Sequence, residues 1–314
     1  LACDPNCRAP LFHEMYLEST PPIARTNEEE QKRRINAVKA YHQYAEKLVG
    51  RPRRMYEAHP ILTIEEDLYI LSQAGLNILL KRVSPIDQPD IDKWFFDGTN
   101  KDFAYDYHEV FLRMLNSIDA PRSHWLLKAP VHTLFLDTLD AHYPNALFVM
   151  THRHLNEVIP SSCSFTWAHG DDYFDKSNDE SQNTMTTQAL RIIDHTIESI
   201  VKFRSTGRRV REQLEHTIFD VSYADLVANP VDTIRKIYQC FGLDWSDEFE
   251  ANMQHWLCQN PQGKHGRHTY DLKKIGITCA TIDERYKDYI RMFPFACTTL
   301  EDCQHKEQHG ENIS

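Results

Sequence analysis

The sequence predicts a single α/β domain in which a parallel sheet lies between helices, and three observations support that fold class. Short apolar runs at 124–128, 146–151 and 217–222 are bounded by proline or polar residues, as buried parallel strands usually are. Helical patterns with capping signals surround these runs. The 314 residues, 41% of them hydrophobic, suffice for one large core. We expect the domain to span 1–296 and to be followed by a polar, flexible tail at 297–314.

Capping residues and proline breakers predict that the first 120 residues are mostly helical. The proline-rich start allows only a short helix near 11–16. Asn27 and the three glutamates that follow it predict a helix to about Leu48, because acidic residues suit the first turn of a helix. Acidic residues also open an apolar helical stretch within 60–82, and another helix is expected at about 104–117.

The second half of the chain is expected to alternate strands with amphipathic helices. A polar, acidic stretch at 170–183 lacks apolar periodicity and is interpreted as a mobile loop or lid. The helix that follows, at about 184–204, has isoleucines on neighbouring faces and is expected to cover the sheet. Two further helices are predicted at 231–240 and 246–259, the first of them ending near Gly242.

Charge and hydropathy exclude two classes of protein. The formal net charge of −11 argues against a general nucleic-acid binder, because phosphate backbones are bound chiefly by clustered Lys and Arg. No run of about 18 apolar residues occurs, so the sequence predicts no membrane-spanning segment in this chain. No signal peptide is found, but the chain begins at Leu1 and its compartment stays open. The sequence does not indicate an oligomeric state.

The eight cysteines form no Cys-x-x-Cys pair, and the favoured interpretation is scattered buried or free thiols. The alternative is a disulfide between Cys297 and Cys303, or one at the N-terminus, which would indicate an oxidising compartment. Cys3 and Cys7 have the spacing of a small metal site, but no second pair accompanies them.

Two pairs of histidines were considered as metal ligands, His152 with His154 and His265 with His268. Neither pair is accompanied by a carboxylate or cysteine at ligand spacing, and a catalytic zinc usually has three protein ligands. The sequence therefore predicts no metal site.

A lysine and a histidine follow the first predicted strand. Lys128 stands at its end, and His132 lies within the first turn of the next helix. A lysine at that place can neutralise the charge of a transferring group, and a nearby imidazole can exchange a proton. The alternative is a surface lysine and a helix-capping histidine.

An arginine and a serine follow the second predicted strand. Arg153 ends the strand, and Ser161 comes eight residues later. A guanidinium offers forked donors to phosphate oxygens, and a hydroxyl near a helix N-terminus adds another. Both groups can therefore meet one phosphate. The alternative for Arg153 is a structural carboxylate partner.

A glycine-bracketed basic loop at 263–268 is a third candidate for anion binding. Lys264 and Arg267 supply positive charge, and Gly266 permits close approach of the backbone to an anion. We expect this loop to close the phosphate site from the far side. The competing interpretation is a solvated turn.

A histidine and two glutamates near the first apolar helix are candidates for proton transfer. His59, Glu65 and Glu66 lie where they can flank an acceptor, and one of them could deprotonate an alcohol. A capping pair of glutamates beside an exposed histidine is an equally good interpretation.

Three motifs give the chain a resemblance to a known family. Asp-Pro-x-x-Arg-Ala-Pro occurs at 4–10, Leu-Lys-x-Pro-x-His at 127–132 and Gly-x-His-x-Tyr at 266–270. With these motifs the chain resembles the sulfotransferases that use 3′-phosphoadenosine 5′-phosphosulfate, from about residue 3 to residue 294. The resemblance implies a P-loop nucleotide-hydrolase-like fold and sulfuryl transfer to a hydroxyl or amine of a small molecule, lipid or glycan. It implies no metal.

The resemblance also implies roles for residues on the donor side. Arg153 and Ser161 would hold the 3′-phosphate, and Tyr223 would lie near the adenine. Lys264 and Gly266 would belong to the loop that closes over the phosphates.

On the acceptor side, the resemblance implies that Lys128 lies beside the sulfuryl group. His132, His59 and Glu66 are then the candidate bases for the acceptor hydroxyl or amine. The sequence does not choose among them.

One part of the family pattern is absent from the sequence. Members of the family carry an N-terminal strand followed by a loop similar to Pro-Arg-Thr-Gly-Thr-Thr, whose backbone amides cradle the 5′-phosphosulfate. The chain begins with residues that resemble those after this loop, and no other glycine-rich stretch replaces it. We therefore expect an N-terminally truncated sequence of an active enzyme, from the cytoplasm or the Golgi lumen according to its N-terminus. The alternatives are a degenerate homologue that binds the nucleotide or a partner without catalysis, and a nucleotide kinase, which needs the same loop.

Overall fold

Helices surround two parallel strands in the computed structural model, which confirms the predicted α/β class. The structure describes residues 1–49, 64–84, 88–96, 100–170, 179–261 and 272–294. The expected tail at 297–314 lies outside these residues, and the domain boundary stays a prediction. No helix in the described part of the chain is both long and apolar enough to span a bilayer.

The first half of the chain is helical, as its capping and breaker residues predict. Its helices are α1 (Phe12–Met15), α2 (Glu28–Val49), α3 (Leu68–Gln73), α4 (Ile78–Arg82), α5 (Pro89–Phe96) and α6 (Asp102–Asn116). The stretch predicted as one helix within 60–82 contains two helices in its described part. Gly75, with a φ of +95°, turns the chain after α3, and the side chain of Asn77 then caps α4 by accepting from two backbone amides.

The sheet consists, within the described residues, of β1 (Phe148–His152) and β2 (Ile218–Ser222). The two strands are parallel, and their register pairs Phe148 with Ile218 and His152 with Ser222. Because both strands end at the same rung, the residues that follow them begin side by side. The predicted strands at 146–151 and 217–222 are therefore confirmed.

The predicted strand at 124–128 is wrong for the described structure, where this segment forms only an isolated parallel bridge between Trp125 and Arg8. The amide of Arg8 donates to the carbonyl of His124 at 3.0 Å, and the amide of Leu126 donates to the carbonyl of Arg8 at 2.9 Å. The partner segment is flanked by prolines, which have no N–H to extend a ladder. The apolar run is extended but does not join the sheet.

The second half of the chain carries the longest helix. Its helices are α7 (Leu136–His142), α8 (Leu155–Gly170), α9 (Asp179–Thr206), α10 (Arg208–Arg211), α11 (Tyr223–Ala228), α12 (Pro230–Phe241), α13 (Asp247–Gln259), α14 (Cys279–Arg285) and α15 (Lys287–Met292). Short 3₁₀ turns occur at Pro130–Leu134, Glu215–Thr217 and Leu272–Ile275. The predicted helices at 231–240 and 246–259 are confirmed, and α12 ends at a left-handed Gly242 with φ 63°.

The predicted acidic loop at 170–183 is wrong at both of its described ends. Gly170 belongs to α8, and the stretch from Asp179 forms the first turns of α9. Residues 171–178 lie outside the described part of the chain. The stretch was predicted as a loop because it is polar, but it is polar because the first turns of α9 face solvent before the apolar stripe of that helix begins.

Helix α9 covers the sheet, as predicted, and supplies much of the core. Its buried side chains pack with residues from both strands and from α8 in one apolar cluster. This cluster includes Ile193, Ile197, Ile200, Phe203, Phe148, Ile218 and Ile159. At about 25 cal/mol per Å² of apolar surface, burial of such side chains is the main favourable contribution to the fold.

The cysteines divide into two states. Among the described residues, Cys3, Cys7, Cys163, Cys240 and Cys258 are free thiols, as predicted. Cys279 is disulfide-bonded, so the prediction of a free thiol is wrong there. The spacing of cysteines in the sequence does not by itself indicate which of them form a bridge.

Candidate active site

Two adjacent acidic residues hold Lys128. Glu66 and Asp67 stand just before α3, and Lys128 stands just before the 3₁₀ turn Pro130–Leu134. The ammonium of Lys128 contacts Oε1 of Glu66, and the backbone amide of Lys128 donates to Oδ1 of Asp67 at 3.0 Å. The side chain of Lys128 is 69% exposed and that of Glu66 is 23% exposed. The buried Asp67 therefore fixes the backbone of Lys128, while the side chains of Lys128 and Glu66 are accessible to solvent.

Asp67 is the centre of a buried polar network. Its carboxylate is fully buried, and its Oδ2 accepts hydrogen bonds from Nε2 of His132 at 2.8 Å and from Nε2 of His108 at 2.9 Å. Burial alone would raise the pKa of Asp67, but the neighbouring His132 and His108 outweigh it and hold that pKa below its usual range. Asp67 therefore stays ionised and joins α6 to the Lys128 segment.

Two tyrosines complete the network. The hydroxyl of Tyr105 lies 3.0 Å from Nδ1 of His132, and the hydroxyl of Tyr143 lies 2.6 Å from Nδ1 of His108. Every group is satisfied when each tyrosine donates to Nδ1 and each Nε2–H donates to Asp67. Burial, and then the charge of Asp67, raises the pKa of Tyr105 well above its ordinary value, so the hydroxyl remains a donor.

This network decides what His132 can do. Both of its ring nitrogens are hydrogen-bonded, and its side chain is only 11% exposed. An imidazole in that position orients the turn that carries Lys128. Beside Lys128, Oε2 of Glu66 is a carboxylate oxygen that makes no hydrogen bond with a described residue.

Asp67, His108 and His132 also form, among the described residues, a group with the composition of a metal site. Ligand atoms that surround a Zn²⁺ ion tetrahedrally, each about 2.0–2.1 Å from the metal, lie roughly 3.3 Å from one another. The contacts here, 2.8 and 2.9 Å, have the lengths of hydrogen bonds, and the tyrosines satisfy the remaining ring nitrogens. Hydrogen bonding thus accounts for every donor and acceptor in the group, and the expectation of a metal-free site stays a prediction.

A second part of the site lies at the ends of the two strands. Arg153 follows β1 and Tyr223 follows β2, so the strand register places these two residues side by side. The guanidinium of Arg153 lies over the ring of Tyr223, 4.5 Å from its centroid. Its Nε donates to Glu157 at 2.7 Å, which is the structural carboxylate partner considered above.

The remaining guanidinium nitrogens of Arg153, Nη1 and Nη2, hydrogen-bond to no described residue. Its side chain is 33% exposed and the ring of Tyr223 is 38% exposed, so both can meet a ligand. Ser161 is half-buried on α8, two turns beyond Arg153. An anion that bound the free edge of Arg153 would lie at the carboxyl end of the sheet, where open α/β folds bind nucleotides.

Several predicted site residues lie outside the described part of the chain: His59, Lys264, Gly266 and Arg267, together with the histidine pair His265 and His268. Their assignments stay predictions.

Four residues of the site carry no signal in the sequence: Asp67, His108, Tyr105 and Tyr143. Asp67 was visible only as the last of three acidic residues before α3, a pattern that normally caps a helix. In the structure Asp67 is the N-cap residue of α3, but its side chain makes no capping hydrogen bond. Its hydrogen-bond partners come from distant parts of the chain, so no local pattern in the sequence indicates them.

Comparisons with known proteins agree with this architecture. The model of a family described as the sulfotransferase family matches residues 1–247. The fold is similar to that of sulfotransferase STF9 from Mycobacterium avium, with a TM-score of 0.76 and 22% identity over 93% of this chain and 72% of that one. It is also similar to sulfotransferase STF1 from Mycobacterium tuberculosis H37Rv, with a TM-score of 0.68 and 22% identity over 91% of this chain and 70% of that one. A search of curated proteins found no significant match.

Proposed function

Because the chain belongs to the sulfotransferase family, we propose that it transfers a sulfuryl group from 3′-phosphoadenosine 5′-phosphosulfate to a hydroxyl or amine. The acceptor is a small molecule, a lipid or a glycan. The observation that carries the choice of donor is the pairing of Arg153 with Tyr223 at the ends of neighbouring parallel strands. A cation beside an exposed aromatic ring suits a ligand that has both a phosphate and a base.

On the donor side, the free edge of Arg153 would bind the 3′-phosphate and Ser161 would add a hydroxyl. The face of Tyr223 that the guanidinium leaves uncovered would stack on the adenine. Lys264, Gly266 and Arg267 would close over the phosphates. These residues fit the nucleotide in charge and in chemical type.

On the acceptor side, the hydroxyl oxygen attacks the sulfur of the donor, and the bond from sulfur to the bridging phosphate oxygen breaks. The acceptor proton passes to Glu66, and adenosine 3′,5′-bisphosphate leaves. Lys128 neutralises the negative charge that develops on the bridging oxygen. The contact between Lys128 and Glu66 supports these two roles, because it places a base and a cation close enough together to act on the same acceptor group.

Asp67 and His132 are positioning residues in this scheme. They fix the backbone of Lys128, and they do so from a buried network that an incoming acceptor need not disturb. His59 remains a further candidate base.

Binding of the donor product tests the nucleotide site. Adenosine 3′,5′-bisphosphate and adenosine 5′-monophosphate are titrated by calorimetry against the chain, Arg153→Ala and Arg291→Ala. Arg291 is a matched control, since its side chain is 76% exposed and pairs only with Asp288 among described residues. We expect Arg153→Ala to weaken binding of the bisphosphate at least tenfold, with little effect on the monophosphate, because only the bisphosphate carries the 3′-phosphate. Equal affinity of the chain and Arg153→Ala for the bisphosphate would contradict the assignment.

Transfer itself is tested with ³⁵S-labelled donor and a panel of phenols, sterols, amines and glycans. Formation of labelled product by the parent chain, and its loss in Lys128→Gln, would support the proposed transferase activity. Tight bisphosphate binding without transfer to any acceptor would instead favour the alternative, a homologue that binds the nucleotide without catalysis.

A further inference from the structure

Arg82 carries a charge that no described carboxylate contacts directly. It is the last residue of α4, is half-buried, and reaches across to α8. Its Nη1 donates to the hydroxyls of Ser162 at 3.2 Å and Thr166 at 3.0 Å, and its guanidinium lies 5.3 Å from the centroid of the Phe165 ring. All of these contacts are with neutral groups.

Other buried arginines in this protein have a carboxylate partner. Arg8 pairs with Glu14 at 2.8 Å, and Arg209 pairs with Asp140 at 2.6 Å. Arg82 pairs with no carboxylate among the described residues. Since an enclosed charge is costly without a counter-charge, the difference calls for an anion that is brought by a ligand.

The unused edge of the guanidinium has the geometry for such an anion. Nε and Nη2 of Arg82 make no hydrogen bond with a described residue, and neither nitrogen is sealed from solvent. These two nitrogens form the fork that binds phosphate, sulfate or carboxylate through two parallel hydrogen bonds. The hydroxyls of Ser162 and Thr166 hold Nη1, so the fork is already oriented.

Electrostatics connects Arg82 to the proposed transfer site. Burial lowers the pKa of Arg82 to about 10, and the negative charge of Glu66 opposes that change. The guanidinium is therefore charged at neutral pH, and Glu66 is near enough to act on it. Ser162, which it contacts, directly follows the phosphate candidate Ser161. Arg82 is thus hydrogen-bonded to α8 and lies within electrostatic reach of Glu66, which contacts Lys128.

We propose that Arg82 binds an anionic group of the acceptor, so that the substrates carry a phosphate, sulfate or carboxylate close to the accepting hydroxyl or amine. This inference rests on the proposed function, because it needs the donor to occupy the strand ends. The same anion chemistry could come from the donor nucleotide, and the experiment separates the two sources.

The test measures binding of inorganic phosphate by calorimetry in the presence of saturating adenosine 3′,5′-bisphosphate. The proteins are the chain itself, Arg82→Gln, Lys128→Gln and the surface control Arg291→Gln. We expect Arg82→Gln to weaken phosphate binding at least tenfold, and both other variants to stay within about threefold of the parent, since only Arg82→Gln removes the bidentate charged contact. Unchanged phosphate affinity in Arg82→Gln, or a loss confined to Lys128→Gln, overturns the proposal.

Two further measurements keep the outcome unambiguous. If Arg82→Gln also weakens bisphosphate binding tenfold, Arg82 belongs to the donor site and the proposal fails. If the parent chain does not bind the bisphosphate, the proposed function fails, and phosphate titration of the free protein still decides whether Arg82 is an anion site. The double variant Ser162→Ala with Thr166→Val keeps the guanidinium and is expected to retain phosphate binding within about fivefold. If its binding falls as far as that of Arg82→Gln, Arg82 is only a clamp between α4 and α8.

Discussion

The backbone amide of Lys128 donates to Oδ1 of Asp67 at 3.0 Å, and this bond ties the exposed cation of the site to a fully buried carboxylate. Since Oδ2 of Asp67 is taken by two imidazoles, a single side chain positions the Lys128 segment, the following 3₁₀ turn and α6. The pair formed by Lys128 and Glu66 is thus supported by the interior of the protein as well as by loops.

Asp67→Asn is expected to destabilise the protein by about 1–3 kcal/mol, the usual cost of leaving a buried polar group without its partner. The amide nitrogen of asparagine would face either the two imidazole donors or the backbone amide of Lys128, so at least one buried donor would lose its acceptor. Urea unfolding at pH 7 measures the change.

Asp232→Asn is the matched control for that experiment. Asp232 is 66% exposed and pairs with Arg235 at 3.4 Å, so its removal should change stability by less than about 0.5 kcal/mol. Equal unfolding free energies for the two variants would show that Asp67 has no structural role.

Asp220 is expected to make stability depend on acid pH. Burial raises its pKa, but hydrogen bonds from His152 and Arg204 outweigh burial, and the pKa lies below the ordinary value of 3.8. A carboxyl whose folded pKa is lowered stabilises the protein above its unfolded pKa, and this contribution is lost as the pH falls through the folded pKa.

The measurement is the difference in unfolding free energy between the parent and Asp220→Asn. It should be constant at pH 6–8 and should shrink below about pH 4. Asp232→Asn again serves as the control and should give a small, flat difference. If the difference in unfolding free energy between the parent and Asp220→Asn stays unchanged at the lowest pH, the lowered pKa of Asp220 is contradicted.

Glu66→Gln is expected to reduce kcat by about 10²–10⁴, the usual contribution of a general base, with bisphosphate affinity unchanged within about threefold. Glutamine keeps the size of the side chain and its contact with Lys128 but cannot take the acceptor proton.

Glu65→Gln makes the same chemical change one residue earlier. Its Oε1 accepts from the amide of Glu66, and an amide oxygen can do the same, so kcat should stay within about threefold of the parent. Single-turnover transfer assays compare the two variants, and equal rates would remove Glu66 from the reaction.

Cys279 is expected to resist alkylation by iodoacetamide until the protein is reduced, because it is disulfide-bonded. Cys240 and Cys258 are exposed free thiols and should be labelled without reductant. Peptide mass spectrometry of the unfolded protein reads all three positions. Labelling of Cys279 without reductant would rule out the bridge, whereas its protection would be typical of a protein that folds in an oxidising compartment.

Local signals in the sequence predicted the elements that depend on local physics. Asn27 and the glutamates after it placed the start of α2, and Gly242 placed the end of α12. The strand at 146–151 was found because a continuous apolar run between polar residues is typical of a buried parallel strand. The run at 124–128 has the same composition but lacks a partner that can extend a ladder, and its neighbours in space decided its conformation.

The candidate site divides in the same way. Lys128 and Arg153 were visible because each stands at the end of an apolar run, whereas Tyr223 was indicated only by the family resemblance. Arg82 was not singled out, since what distinguishes it is the neutral character of its partners on α8, and that is a property of packing.

By itself, the sequence determined the α/β class, the approximate bounds of α1, α2, α6, α12 and α13, and the cations that end two apolar runs, because each of these depends on residues a few positions apart. Only the tertiary structure decided the environment of those cations. Asp67 is 41 residues from His108, 65 from His132 and 61 from Lys128, so its bonds depend on how α3, α6 and the Lys128 segment pack. A buried carboxylate requires hydrogen-bond donors, and residues distant in the sequence can supply them. The hydrophobic periodicity of the sequence does not indicate which residues these are.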